Sequence, residues 1–528
     1  MHDAVTANQQ RLHLDEATSL PDLFRRIAAV RGSAPALRDG GRTLSYHDLD
    51  LVSDRLAARL VKAGVRPGDH VGLLLQRSVD IPISILATLK AGAAYVPLDP
   101  TYPAERLRYL VHDAGIRLVV GASEDIDSAG LAGIRAVPPH TDGEDVAPLP
   151  PVDLDGSELA YILYTSGSTG TPKGCMISHN SVLALLRSAL SVFDVSAEDR
   201  FTLFHPFTFD LSVSEFWLSM TAGATSVVVP LRMAQSASDL LALLHRESVT
   251  VACQVPSSLR ALAYAYEEAG RPELALRYVT FGGESAELDV VSGFLKAYQN
   301  TAPPTMVNLY GPTEATCFAT CRVLTQADLD GPVRSPIGTA LPHLIVEVRS
   351  EGMELLPDGE AGELVIAGSG LAVGYLGRPE LTAERFVVLD TPTGLLRYYR
   401  TGDLARRLPD GSFEYLGRND QQVKVRGVRV ELGEVETFLR AHELVKDAAA
   451  AVVTTAVGAK FLVACVVLAG QAPEKPEALL RQHMLESVPP FMVPDRYQFV
   501  PELPLTSSGK LDRRAVEDMA TPRRTRRP

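Results

Sequence analysis

From about residue 20 to residue 135 the apolar positions of the chain keep switching between two periods. PDLFRRIAAV and DLDLVSDRLAARLVKAG space them three and four apart, as amphipathic helices do, whereas HVGLLL and AAYVPLD are short apolar runs of strand length. A chain that alternates helix with buried strand is expected to layer its helices over a parallel sheet, so the fold class reads as α/β. A Pro- and acid-rich connector, VPPHTDGEDVAPLPPVDLDGSE (137–158), interrupts this texture, which then resumes to about residue 320. From about 335 the pattern changes. VEVRSEGMELLPDGEAGELVIAG and ARRLPDGSFEYLG read as β-hairpins turning at Pro-Asp-Gly. After GRNDQQVKVRG (417–427) a smaller unit follows, with VELGEVETFLRAH and PEALLRQHMLESV as helices and AAAAVVTTAV and FLVACVVLAG as strands. At 528 residues the chain exceeds one core. The expected layout is a large α/β body with a β-rich subdomain over 1–419, and a small α+β C-terminal lid over 420–528.

The densest polar motif is YTSGSTGTPKG (164–174). Upstream, LAYILY (159–164) reads as a buried strand. Downstream, Ser178 and Asn180 are capping candidates ahead of Val182, Leu183, Leu185, Leu186 and Leu190 at helical spacing. A strand, a glycine-rich loop and a helix converge backbone N–H groups on an anion. Ser166, Ser168, Thr169 and Thr171 add hydroxyl donors, and Lys173 adds charge, so the ligand expected is a phosphate; a solvated turn is the plain alternative. The motif is not the P-loop of NTPases, because Gly174 and not Ser or Thr follows the lysine.

Net charge of −13 argues against general nucleic-acid binding, and the basic tail RRTRRP (523–528) reads as a frayed end. Cys175, Cys253, Cys317, Cys321 and Cys465 are scattered and odd in number, which fits a reducing compartment. Cys317 and Cys321 have the spacing to share a helix face, but no His or Cys cluster completes a metal site. The polar start lacks the apolar core of a signal peptide, and no apolar run is long enough to span a membrane, so a cytoplasmic protein is expected.

Three further motifs carry chemistry. In NLYGPTEAT (308–316), Tyr310 suits stacking on a base, Thr313 a hydrogen bond to phosphate, and Glu314 magnesium ligation; an ordinary turn with a solvated Glu is equally open. In YRTGDLARR (399–407), Asp403 reads as a strand-end carboxylate suited to a ribose diol, or as a turn cap. In PLTSSGK (504–510), Lys510 stands in a polar loop, where most lysines are merely exposed.

Taken in order, these stretches resemble the adenylate-forming enzymes, and within them the adenylation domains of nonribosomal peptide synthetases. LSYHDLD (44–50), LKAGAAYVPLDPTYPAERL (89–107), FDLSVSEFW (209–217), GELVIAGSGLAVGYL (362–376), GRNDQQVKVRGVRVELGEVE (417–436) and SSGKLDRR complete the series over nearly the whole chain. The resemblance implies two steps. First, an amino-acid carboxylate attacks the α-phosphorus of ATP to give aminoacyl-AMP and pyrophosphate. Thr165, Ser166, Gly167, Ser168, Thr169, Gly170 and Lys173 would hold the β- and γ-phosphates. Thr313 and Glu314 would organise the α-phosphate and Mg²⁺. Tyr310 would stack on the adenine, Gly283 and Asn308 would belong to the cofactor site, Asp403 and Arg418 would hold the ribose, and Lys510 would bridge substrate carboxylate and ATP. Second, the lid would rotate about Asp420, bringing Lys424 toward the phosphopantetheine arm of a separate carrier protein, with His205 in the place of an aromatic gate.

The resemblance also implies a side-chain pocket of Asp210, Leu211, Ser214, Cys253, Thr280, Gly282, Leu309, Cys317 and Phe318. A buried Asp210 would meet an α-ammonium group. No other wall position is charged, so a neutral amino acid is expected. Ser214 deepens the cavity and offers a hydroxyl to a polar tip, whereas Phe318 fills space, so size stays open, as does a β-amino acid. No carrier segment follows Lys510 and no condensation-like segment precedes, so a stand-alone enzyme is expected. A requirement for a small MbtH-like activator is not readable.

Overall fold

The computed structural model describes residues 13–140, 150–167, 171–298, 302–333, 335–392, 394–420, 422–425, 427–455, 460–506 and 511–521. The chain divides into two compact units. One comprises 1–100, 111–164 and 174–419; the other gathers 101–110, 165–173 and 420–528. The boundary between Asn419 and Asp420 falls where the motifs place the hinge. The loop at 165–173, expected in the large body, groups with the second unit.

The first unit holds two sheets. In the seven-stranded sheet, His70–Leu74, Ala94–Leu98, Leu118–Val120 and Arg135–Val137 run parallel; the helix Asp80–Lys90 connects the first two, and the helices Leu20–Arg31 and Tyr46–Lys62 precede them in the chain. Tyr46–Lys62 starts where its sequence dictates: Ser45 and Asp48 form a reciprocal capping box. In the fourteen-stranded sheet, Arg200–Leu203, Val251–Gln254, Tyr278–Gly282 and Thr305–Tyr310 form a parallel centre. The β-rich region is not a separate sheet. It continues this one antiparallel through Thr320–Val323 and Pro336–Ala340 to the long strand Gly394–Arg407 and its partner Phe413–Arg418. The turn between those two strands contains the Pro-Asp-Gly read from sequence, with Gly411 left-handed at φ 82°.

The phosphate-loop region departs from the expected strand, loop and helix. Leu159–Thr165 is a strand, but Lys173–Ser178 is a second strand in the same sheet, and only then does the helix His179–Val192 begin. Ser178 caps that helix by accepting from the Ser181 amide. KGCMIS pairs as a strand with Gly374–Tyr375, so the helix N-terminus stands six residues beyond Lys173.

The second unit has an antiparallel ribbon, Gln422–Val425 with Val428–Glu431, and a three-stranded sheet of Val445–Thr454, Lys460–Leu468 and Arg496–Phe499. Alternate residues of the alanine-rich strand feed two cores. Ala448 and Ala450 join Val435, Leu439, Leu480 and Met484, while Ala449 and Ala451 join Val516 and Ala520. Within this unit Ser166 Oγ donates to the Arg429 carbonyl at 3.0 Å, and Arg106 pairs with the fully buried Glu434 at 2.7 Å.

Candidate active site

Four local assemblies lie within the first unit. The first links Asp210 to Thr313. Asp210 stands immediately before the helix Leu211–Thr221, where the helix dipole favours a carboxylate. Its Oδ2 accepts the Thr313 hydroxyl at 2.7 Å. A buried Asp210 is the expectation from sequence; it is half-buried, at the N-cap position that precedes the helix.

The second assembly is an ion pair joined by a phenol. Asp403 and Arg418 are cross-strand partners, with Arg418 Nη1 donating to Asp403 Oδ1 at 2.5 Å and the Tyr310 hydroxyl donating to Oδ2 at 2.5 Å. Asp403 is 2% exposed. It lies inside the long strand and not at a strand end, so the turn-cap alternative falls. Burial, with the Asp403 carboxylate beside it, holds the Tyr310 phenol well above its ordinary pKa, so it stays a donor.

Glu314 forms the third. It sits in the short 3₁₀ turn Thr313–Ala315, is fully buried, and accepts the Tyr375 hydroxyl at 2.6 Å. A solvated Glu in an ordinary turn is excluded. Tyr375 stands 61 residues from Glu314 in the chain, and no local sequence signal ties the two together. The turn is followed by two consecutive non-glycine residues in the left-handed region, Thr316 (φ 54°) and Cys317 (φ 75°). A β-branched residue there is strained, and Thr316 is pinned by its hydroxyl donating to the Gly370 carbonyl at 2.6 Å. Cys317 therefore shares no helix with Cys321, which lies on the strand Thr320–Val323.

The fourth assembly is an open cavity of about 540 Å³, the solvent space at its mouth included. Ser214, Cys253, Thr280, Leu309 and Phe318 line it. Register explains why residues so far apart in sequence share one wall. Cys253 lies opposite Thr280, and Gly282 opposite Leu309, all on one face of three adjacent parallel strands. The backbone approach is closest at Gly282, where a Cβ would stand 2.5 Å from the Leu309 carbonyl oxygen. Ser214 comes from the facing helix, whereas the expected Asp210, Leu211, Gly282 and Cys317 are not among the described residues that line the cavity. The Ser214 hydroxyl, expected to meet a polar tip, instead donates to the Leu211 carbonyl at 2.8 Å. Burial, with Asp210 nearby, pushes the Cys317 thiol far up.

Beside the cavity lies a grouping of three potential ligand residues that spacing in the sequence did not suggest. His205, Glu215 and Cys253 bring ligand atoms within 4.8 Å of one another. Glu215 Oε1 pairs with His205 Nδ1 at 3.1 Å, and its Oε2 accepts the amides of Phe204 and His205 at 3.1 and 3.0 Å. Burial disfavours a charged ring, but Glu215, aided by Cys253, lifts the His205 pKa to about 10, so the imidazolium is the neutral-pH form. The carboxylate's acceptors are thus committed within the protein. Sequence reasoning missed Glu215, although a signal existed: it is the single charge in an otherwise apolar helix, and such a charge must be paired.

Of the remaining expected residues, Thr165, Ser166, Gly167 and Lys173 are described within the second unit's segment 165–173, with Ser166 and Lys173 buried. Asn308 is buried and spends its amide on the Pro336 carbonyl at 2.7 Å. Gly283 follows its strand with φ 82°. Asp420 is exposed and accepts the Gln422 amide at 3.1 Å, and Lys424 lies on the ribbon Gln422–Val425. Ser168, Thr169, Gly170 and Lys510 lie outside the described residues. Among the described residues all five cysteines are free thiols, and no helix is long and apolar enough to cross a membrane.

Comparison with known proteins fits this geometry. Residues 24–376 match the AMP-binding enzyme family and residues 434–510 its C-terminal domain. A dimodular nonribosomal peptide synthase of Bacillus subtilis (strain 168) is 38% identical over 94% of this chain, which spans 21% of that protein. Syringomycin synthase SyrB1 of Pseudomonas syringae pv. syringae is 37% identical over 95% of this chain and 82% of its own length. Among solved structures, holo-PA1221, a nonribosomal peptide synthetase protein containing adenylation and PCP domains, superposes with a TM-score of 0.84 at 28% identity, covering 95% of this chain and 84% of that one.

Proposed function

The chain belongs to the AMP-binding enzyme family as an adenylate-forming adenylation domain of the nonribosomal peptide synthetase type, and we propose that it activates a neutral amino acid and passes it to a carrier-protein thiol. The observation that carries the reading is the 2.7 Å bond from Thr313 to Asp210. It sets a carboxylate suited to an α-ammonium group directly beside the turn that bears Glu314. Fatty- or aryl-acid substrates have no use for that charge.

In the first step the substrate carboxylate attacks the α-phosphorus of ATP, a P–O bond to the β-phosphate breaks, and pyrophosphate leaves with its electron pair. Both reactants are anionic, so fixed donors and cations placed before reaction are the effective device. Asp210 holds the ammonium and so orients the carboxylate. The Thr313 hydroxyl, which donates to Asp210 here, would turn to donate to the α-phosphate once the substrate ammonium takes its place on Asp210. The Thr165–Lys173 segment holds the β- and γ-phosphates. Asp403, oriented by Arg418 and Tyr310, accepts from the ribose hydroxyls, and Tyr310 borders the base. A buried glutamate is a hard oxygen ligand, so Glu314 fits Mg²⁺, which would supply positive charge to the phosphate oxygens. Lys510 contacts the reacting oxygens. In the second step a carrier phosphopantetheine sulfur attacks the acyl carbonyl and AMP leaves. Asp420 is the hinge, Lys424 faces the arm, and His205 borders its path.

ATP–pyrophosphate exchange over neutral amino acids, with amine-free acids as controls and with and without an MbtH-like protein, tests the first step. Exchange with an amino acid supports the reading; exchange only with amine-free acids overturns it in favour of an acyl ligase. Lys510→Ala is expected to lower exchange about 10²–10³-fold while ATP binding persists. Mass shift of a phosphopantetheinylated carrier protein tests the second step.

A further inference from the structure

We infer that the side-chain pocket continues past the wall read from sequence into a second, purely hydrocarbon compartment, so that the amino acid activated carries a long or aryl side chain ending in hydrocarbon; this rests on the amino-acid reading above. The compartment follows from sheet register. Cys253 and Thr280 face each other across neighbouring strands, and two residues upstream the same face presents Val251, paired with Phe201. All four line the one cavity. A pleat repeat is roughly 7 Å, so the cavity runs that much deeper than the Cys253–Thr280 level.

Helical spacing supplies the opposite side. Leu218 lies one turn beyond Ser214 on the helix Leu211–Thr221, and Leu186 and Ala189 come from the helix His179–Val192, with Phe193 just past its end. None of these six deeper residues carries a polar side-chain atom. Phe318 lines the cavity without filling it. Ser214 is the entrance: a large side chain there would occupy the passage that its small one leaves open.

Three of the polar side chains that line the cavity are already engaged. Ser214 donates to Leu211, Thr202 Oγ1 accepts the Cys253 amide at 3.4 Å, and Glu215 holds His205 and two amides. A hydroxyl or charge at the tip of the substrate would lose its water and find only hydrocarbon in the deeper part. A methyl or phenyl terminus loses nothing there and gains burial.

The test is calorimetric binding of non-hydrolysable 5′-O-sulfamoyladenosine conjugates to the full chain. The acyl groups run from alanine through norvaline and norleucine to 2-aminooctanoic acid, with homophenylalanine, each made with and without its α-amine. Kd is expected to fall about fourfold per added methylene. Ala189→Phe, filling the deep end, and Ser214→Trp, closing the entrance, are each expected to shrink the advantage of the octanoyl over the alanyl conjugate by about tenfold or more. A series that is flat or weakens with length while the amine still matters overturns the compartment and leaves the amino-acid reading standing. A slope that survives both substitutions also overturns it. A steep slope indifferent to the amine keeps the compartment and removes the amino acid.

Discussion

The cluster around Asp403 and the cavity behind Ser214 are built on the same fourteen-stranded sheet, but by opposite means. The first is an ion pair and a phenol buried almost completely and satisfied by one another. The second is a shape, left between sheet and helices, whose few polar groups are turned away from it. A site for a conserved reaction part such as ribose needs fixed charge. A site that distinguishes one hydrocarbon from another needs volume. The two should therefore fail differently, the cluster through loss of charge balance and the cavity through loss of space.

The largest expected contrast comes from Asp403→Asn. It strands the Arg418 guanidinium in a buried site, so stability should fall by about 3 kcal/mol in chemical denaturation, with the KM for ATP raised and the ranking of amino acids unchanged. A reordered ranking would show that the two regions are coupled. Gly282→Ala comes next. Its new methyl would stand against the Leu309 carbonyl, so a loss of about 1–3 kcal/mol is expected, together with a changed amino-acid ranking and an unaltered KM for ATP.

A smaller effect concerns pH. The folded-state pKa of His205 lies above its ordinary 6.5, at about 10, so its stabilising contribution is complete below about pH 6.5 and is lost as pH rises toward 10. Denaturation midpoints should decline across that window, and Glu215→Gln should flatten the decline; an unchanged slope would remove the pair as its source. The smallest effect is Ser178→Ala, which deletes a helix cap and should cost about 1 kcal/mol without changing any substrate parameter.

Legibility in the sequence followed the range of the interaction. Helix Tyr46–Lys62, strand Leu159–Thr165 and the Ser178 cap were readable because neighbours a few residues apart decide them. The Asp403–Arg418 pair was half readable. Both residues were singled out for ribose, but their contact follows only from counting outward along both strands from the Pro-Asp-Gly turn. Strand Lys173–Ser178 was missed because a glycine-rich loop beside a helix suggested that nothing intervened. The His205–Glu215–Cys253 cluster and the deeper compartment were out of reach. They depend on which strands neighbour each other and in what register, information that no local pattern carries.

The register that lines the cavity has a consequence for how such a protein can change. Along the same strands, Ala252, Val279, Phe281 and Met306 alternate with the cavity residues and pack into a separate core on the other face. The cavity residues Val251, Cys253 and Leu309 belong to one core and the residues behind them to another, so a change that reshapes the cavity disturbs the first and leaves the second packed. Substitutions at 251, 253, 280 or 309 can be sampled one at a time without first breaking the packing behind them. New substrates are then reachable by single steps through folded intermediates, with Gly282 as the position on that wall where the sampling stops.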